Sequence, residues 1–185
     1  MEVNFKANLI SKTTIKKYNP EKAIFLPKQV SFVEMLSSDK NDMKALKKTI
    51  RLFGGKKSLT RTAYYKAKEN PARRTFVLTT QDDSFENIDY KNILGVTQVY
   101  KEKDNVNCID FLETKPEFRR ENNNRELKGV GRRILHSLKK LFYGETLSVN
   151  YLSSKLKFYI DNGFDFDTEN DLYDRDIFWK TPSRR

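Results

Sequence analysis

The sequence predicts a mixed domain, α+β or three-layer α/β, and three observations predict it. Segments rich in strand formers at 74–80, 93–100, 106–114, 146–151 and 177–179 outnumber the helical patterns. One strongly amphipathic helix repeats Val130, Ile134, Leu135, Leu138, Leu141 and Phe142 at helical spacing. The content of 37% hydrophobic residues, with 13 Phe and 9 Tyr, supports an aromatic-rich core rather than disorder. A chain of 185 residues suffices for one well-cored domain.

The elements follow in order. Residues 3–11 form a first strand or a short extended segment, and residues 20–36, around Pro20 and Pro27, carry no decisive pattern. Ser37-Ser38-Asp39 caps a helix through Met43, Leu46, Ile50 and Leu52, which Gly54-Gly55 ends. Ser58 to Lys68 reads as a helix or a loop before Pro71. The strands at 93–100 and 106–114 make an antiparallel hairpin across the turn Glu102-Lys103-Asp104-Asn105. Ser153 or Ser154 caps a short helix through Ile160, closed by Asn162-Gly163, and Ile177-Phe178-Trp179 lies in a final strand. There is no internal repeat, low-complexity tract or long linker.

Charge is distributed unevenly. Residues 1–70 hold 16 Lys/Arg against 6 Asp/Glu, a net +10 of the chain's +11. That asymmetry points to an anionic partner such as nucleic acid, or to a solvated lysine-rich surface. The carboxy-terminal part instead has an acidic run, Asp161, Asp165, Asp167, Glu169, Asp171, Asp174 and Asp176. With Cys108 the only cysteine and His136 the only histidine, a disulfide framework, a cysteine-ligated zinc site and a transition-metal cluster are all excluded within one chain. Cys108 reads as a small buried hydrophobe and His136 as a surface residue beside Arg132, Lys139 and Lys140. The amino terminus lacks a signal-peptide run and no stretch is long enough to span a bilayer, so a reducing cytoplasm is the expected compartment.

The chemistry gathers at Lys128-Gly129-Val130-Gly131-Arg132, between a strand and a helix. Glycines let the backbone approach a ligand closely, and the first helical N–H groups have no partner inside the helix. Strand, glycine loop and helix together make an anion cradle.

In its order of elements the chain resembles the GNAT superfamily of acetyl-CoA-dependent N-acetyltransferases, over roughly residues 74–180 of a single domain spanning 1–185. Two motifs carry the resemblance. The family's loop, Arg/Gln-x-x-Gly-x-Gly/Ala, is filled by Glu126-Leu127-Lys128-Gly129-Val130-Gly131, and an aromatic-Tyr-x-x-x-Gly-Phe ending by Phe158, Tyr159, Gly163 and Phe164. Two positions depart from the pattern: Glu126 replaces a basic or amide residue, and Leu152 stands where the family often has Asn.

The resemblance implies a mixed, mostly antiparallel sheet flanked by helices in three layers. It implies acetyl-CoA as co-substrate, with the pyrophosphate on Leu127, Lys128, Gly129, Val130, Gly131 and Arg132. The thioester arm would lie against a splayed strand offering Phe111, Leu112 and Glu113. Tyr159 would protonate the departing thiolate. Glu113 is the best carboxylate to take the amine's proton, or else a solvated charge at a strand end; alternation puts it on one face with Ile109 and Phe111, and Asp110 on the other. No metal is implied. The acceptor is a primary amine on a small molecule, a peptide or a charged tRNA. The competing reading is an acetyltransferase-like module without turnover that holds nucleic acid through its basic amino-terminal part.

Overall fold

In the computed structural model, residues 7–102, 106–119, 121–122, 125–150, 155–166 and 176–181 are described. The start of the expected first strand, Leu152, the caps Ser153 and Ser154, and Asp167, Glu169, Asp171 and Asp174 of the acidic run lie outside them. Among the described residues, four α-helices flank one sheet. In chain order the elements are β1 (Asn8–Asn19), β2 (Ile24–Met35), α1 (Lys40–Leu52), α2 (Leu59–Glu69), β3 (Arg74–Thr79), β4 (Ile93–Lys101) and β5 (Val106–Thr114). They continue as β6 (Leu127–Lys128), α3 (Val130–Leu141), β7 (Thr146–Asn150), α4 (Leu156–Ile160), β8 (Asp165–Phe166) and β9 (Asp176–Trp179).

The strands are ordered β6-β1-β2-β3-β4-β5-β7-β9-β8. Among the described residues every pairing is antiparallel except β5 with β7, where α3 supplies the crossover that a parallel pair requires. One face of the sheet packs Val30, Phe32, Phe76 and Ile109 against Ile134, Leu135 and Leu138 of α3. The other packs Val33, Val77, Val96 and Phe111 against Leu46 of α1 and Ala63 of α2. The layering is therefore helix, sheet, helix, and each large apolar side chain buried in it contributes roughly 1.5–3 kcal/mol.

The first strand and the undecided segment 20–36 together form a long hairpin, β1 and β2, paired from Asn8↔Glu34 to Asn19↔Ile24. Pro27 is tolerated because β3 reaches β2 only as far as Ser31↔Thr79, leaving that stretch of β2 paired on one side. Asp39 caps α1 by accepting from the N–H groups of Asn41 and Asp42, and 58–68 is helical, with Ser58 capping α2.

Simple alternation fails in β5. The β4–β5 register shifts between Gln98↔Phe111 and Val99↔Ile109, so Asp110 is an extra, bulged residue. Ile109 therefore faces the α3 core, while Asp110 turns to the α2 side with Phe111 and Glu113 and binds Lys66 and Arg73.

Candidate active site

Three elements converge at the end of the sheet where the described β5–β7 ladder stops. The β5–β7 ladder runs from Val106↔Thr146 to Ile109↔Val149, while β5 stays paired to β4 as far as Thr114↔Gly95. Residues 110–114 thus have one backbone edge outside the ladders of the described residues. The Thr97 hydroxyl donates to the Phe111 carbonyl at 2.8 Å and fixes the bulged backbone from the β4 side.

The amino terminus of α3 sits over this edge. Gly129 takes the left-handed conformation (φ 86°) that lets the chain turn from β6 into the helix, and as the cap residue it has no side chain to bond the first helical N–H groups. A Cβ built on Gly131 would lie 3.3 Å from the Phe158 ring and 3.5 Å from Leu112, so glycine permits helix, strand and α4 to close on one point. Gly95 does the same beneath: its Cβ would stand 2.6 Å from Ile134 Cδ1 and 3.2 Å from the Glu113 carbonyl oxygen.

The other residues of the expected anion cradle are distributed in three ways. Leu127 is buried in the core, and with Lys128 it forms β6, paired to Lys17 and Lys16 of β1. The Lys128 ammonium lies 3.7 Å from the centre of the Phe25 ring, on the β1–β2 hairpin. Arg132 donates through Nε to Asn162 Oδ1 at 3.3 Å, and Asn162 in turn donates to the Phe158 carbonyl. Val130 is buried on α3, directly after the glycine. Glu126, the departure from the family loop, pairs with Lys17 at 3.1 Å, and its carbonyl accepts from the Tyr18 N–H. Sequence reasoning missed this part played by β1, because the contact joins residues more than a hundred positions apart.

Tyr159 is 8% exposed, with Phe158 and Phe164 meeting its ring edge-on at 5.1 and 5.7 Å. Burial pushes its phenol up to about 12, so it stays protonated through the neutral range. Gly163 (φ 77°) ends the α4 turn, and the Phe164 N–H returns to the Tyr159 carbonyl at 3.1 Å.

Glu113 is not a solvated strand-end charge. It is 8% exposed, and its Oε2 accepts from the Ser58 hydroxyl (2.6 Å), the Thr60 N–H (2.8 Å) and the Thr60 hydroxyl (2.9 Å). Arg119 approaches Oε1 at 3.3 Å. The carboxylate thereby ties β5 to the first turn of α2. The sequence reading left Ser58 and Thr60 in a helix or a loop, and nothing in their spacing pointed to Glu113.

Elsewhere, His136 is exposed and Cys108 is a free, buried thiol raised above its ordinary pKa chiefly by burial. Among the described residues, no group of three or more His, Cys, Asp or Glu side chains is placed to hold a metal ion, and no helix is long and apolar enough to cross a membrane.

The same arrangement of strands and helices recurs in solved structures. A protein of Lactobacillus plantarum described as an N-acetyltransferase matches with a TM-score of 0.55 at 13% identity, over 83% of this chain and 99% of its own. The fold is that of the GNAT acetyltransferases. A GNAT-family protein from Desulfovibrio desulfuricans matches with a TM-score of 0.53 at 13% identity, over 82% of this chain and 98% of that one. AtaTR bound with acetyl-CoA matches with a TM-score of 0.51 at 17% identity, over 82% and 93% of the two chains. No family model and no curated protein matches the sequence. In this fold the end of β5 and the start of α3 lie side by side, with Gly131 of α3 next to Leu112 of β5.

Proposed function

We propose that the protein is an N-acetyltransferase that moves the acetyl group of acetyl-CoA to a primary amine. The observation that carries the reading is the stretch of β5 at 110–114, unpaired on one side among the described residues, beside an α3 amino terminus whose cap residue is glycine, with Tyr159 on the adjoining α4. An extended pantetheine arm can pair with backbone groups of Phe111, Leu112 and Glu113. Its pyrophosphate suits the N–H groups that start α3, at Val130, Gly131 and Arg132. Lys128 and Arg132 bring positive charge to either side of that turn.

The amine nitrogen attacks the thioester carbonyl carbon, a C–N bond forms, and the C–S bond breaks as the tetrahedral intermediate collapses. The amine proton leaves to solvent or to a base, and the thiolate takes a proton, giving an acetamide and a free thiol. Tyr159 is the candidate donor by its place on α4 beside Gly131 and Leu112; the burial that holds its phenol protonated at neutral pH also makes it a weaker acid, so the proton transfer depends on the negative charge that develops on sulfur. Glu113 fits a positioning role better than that of proton acceptor, since three donors already occupy Oε2. It fixes the distance between the strand carrying the thioester and the helix walling the acceptor side.

A thiol-release assay over a panel of amines tests the reading. Turnover is expected with acetyl-CoA, and Tyr159→Phe should lower kcat about 10²- to 10⁴-fold with KM for acetyl-CoA little changed. Undiminished turnover in that variant would remove Tyr159 from the acid role.

A further inference from the structure

The acceptor side of the molecule carries a charge pattern that the acetyl-transfer chemistry does not use. α1 buries Asp42, Ala45, Leu46 and Thr49 and turns Lys40, Lys44, Lys47, Lys48 and Arg51 outward. The pairs Lys40/Lys44, Lys44/Lys48 and Lys47/Arg51 are like charges one turn apart, an arrangement that works against the helix. Lys56, Lys57 and Arg61 continue the same sign across the turn into α2, all exposed. The only carboxylate between residues 40 and 68 is Asp42, which is fully buried. None of these eight exposed cations forms an ion pair with a described residue.

Aromatic rings stand among these charges. Tyr65 is 49% exposed with the Arg61 guanidinium 5.6 Å from its ring centre, and Lys48 lies 5.3 Å from that of Tyr90. Cations over a long face, interleaved with accessible rings, suit a phosphate backbone whose bases can stack. The face also ends at the reaction site, because the first turn of α2 holds Glu113 through Ser58 and Thr60.

We infer that the outer face of α1 and α2 binds RNA, and that the amine acceptor arrives on that RNA as the amino group of an aminoacyl ester. This rests on the acetyltransferase reading. Nucleobase amines are delocalised into their rings and are poor nucleophiles, whereas an esterified amino acid gives an RNA an aliphatic α-amine able to attack a thioester. The site chemistry agrees. Both carboxylates on the α2 side of β5 are occupied, Glu113 by hydroxyl and amide donors and Asp110 by Lys66 and Arg73. An α-amine, with a pKa near 8, has a substantial neutral fraction without a strong base, whereas a lysine side chain near 10.4 does not.

Fluorescence anisotropy with labelled deacylated tRNA, between about 50 and about 200 mM salt, tests the surface, with a poly-glutamate peptide as the competing polyanion. Affinity for tRNA is expected to fall steeply with salt. The triple substitution Lys44→Glu, Lys47→Glu, Lys48→Glu should weaken tRNA binding at least tenfold, with calorimetric acetyl-CoA affinity unchanged. Mass spectrometry should then find acetyl on the amino acid of aminoacyl-tRNA, at a lower rate in the triple variant. Binding untouched by the substitutions, equal binding to poly-glutamate, or no acetylation of aminoacyl-tRNA while simple amines react would each overturn the inference. Failure to bind acetyl-CoA would instead overturn the acetyltransferase reading and leave the tRNA measurement standing by itself.

Discussion

At the scale of single residues, two buried positions make sharp statements. Asp42 is fully buried; its Oδ2 accepts from the Leu36 N–H at 2.8 Å, while its Oδ1 has no hydrogen-bond partner among the described residues. Burial raises its carboxyl to about 6, against an ordinary value of 3.8. The folded state therefore holds a proton that the unfolded chain releases, and stability falls as pH rises from about 4 to about 6. Asp42→Asn should gain stability relative to the native chain at pH 7 over pH 4, on the order of 1–3 kcal/mol, measured by urea unfolding at both values. An equal difference at the two pH values would contradict the buried-charge account. Gly95 makes the second statement, for α3 rests on it through Ile134 and Val130. Gly95→Val should destabilise by about 1–3 kcal/mol, seen as a lower melting temperature, because a side chain there pushes the helix off the sheet.

At the scale of elements, the connection between β5 and α2 depends on one carboxylate. Glu113→Ala leaves the Ser58 and Thr60 donors without their acceptor and should cost about 1–3 kcal/mol in denaturant unfolding. Glu113→Gln keeps an acceptor oxygen and should retain most of that stability and most of kcat. A loss of kcat in Glu113→Gln that approaches that of Tyr159→Phe would instead assign it to proton transfer. Legibility divides along similar lines. The β4–β5 hairpin and α3 were readable because runs of strand formers and a helical apolar pattern mark them, and Asp39 was readable as a cap from its side-chain chemistry. The β1–β2 hairpin was not, because Pro27 breaks the pattern and much of the pair is half-exposed. The bulge at Asp110 was not either, since a single extra residue leaves composition unchanged and only reverses the faces.

At the scale of the whole molecule, the amino-terminal strand closes the sheet beyond β2 and holds the glycine loop in place. β6 pairs with β1, and Lys17 sits against Glu126, the negative charge that the family loop does not have. An exposed pair of this kind is worth less than about 1 kcal/mol, so its effect is local neutralisation rather than stability. The motifs 126–131 and 158–164 were legible as residues. Their meeting at Gly131, where the Phe158 ring and Leu112 converge, belongs to the folded chain alone. The central claim is that this convergence receives an acyl-coenzyme A. Isothermal titration calorimetry with acetyl-CoA tests it most directly, on the native chain and on Gly129→Glu, which places a carboxylate at the helix start in a conformation unfavourable to any side chain. The account predicts saturable one-to-one binding that Gly129→Glu abolishes while circular dichroism shows the variant still folded; no binding to the native chain, or equal binding to both, would contradict it.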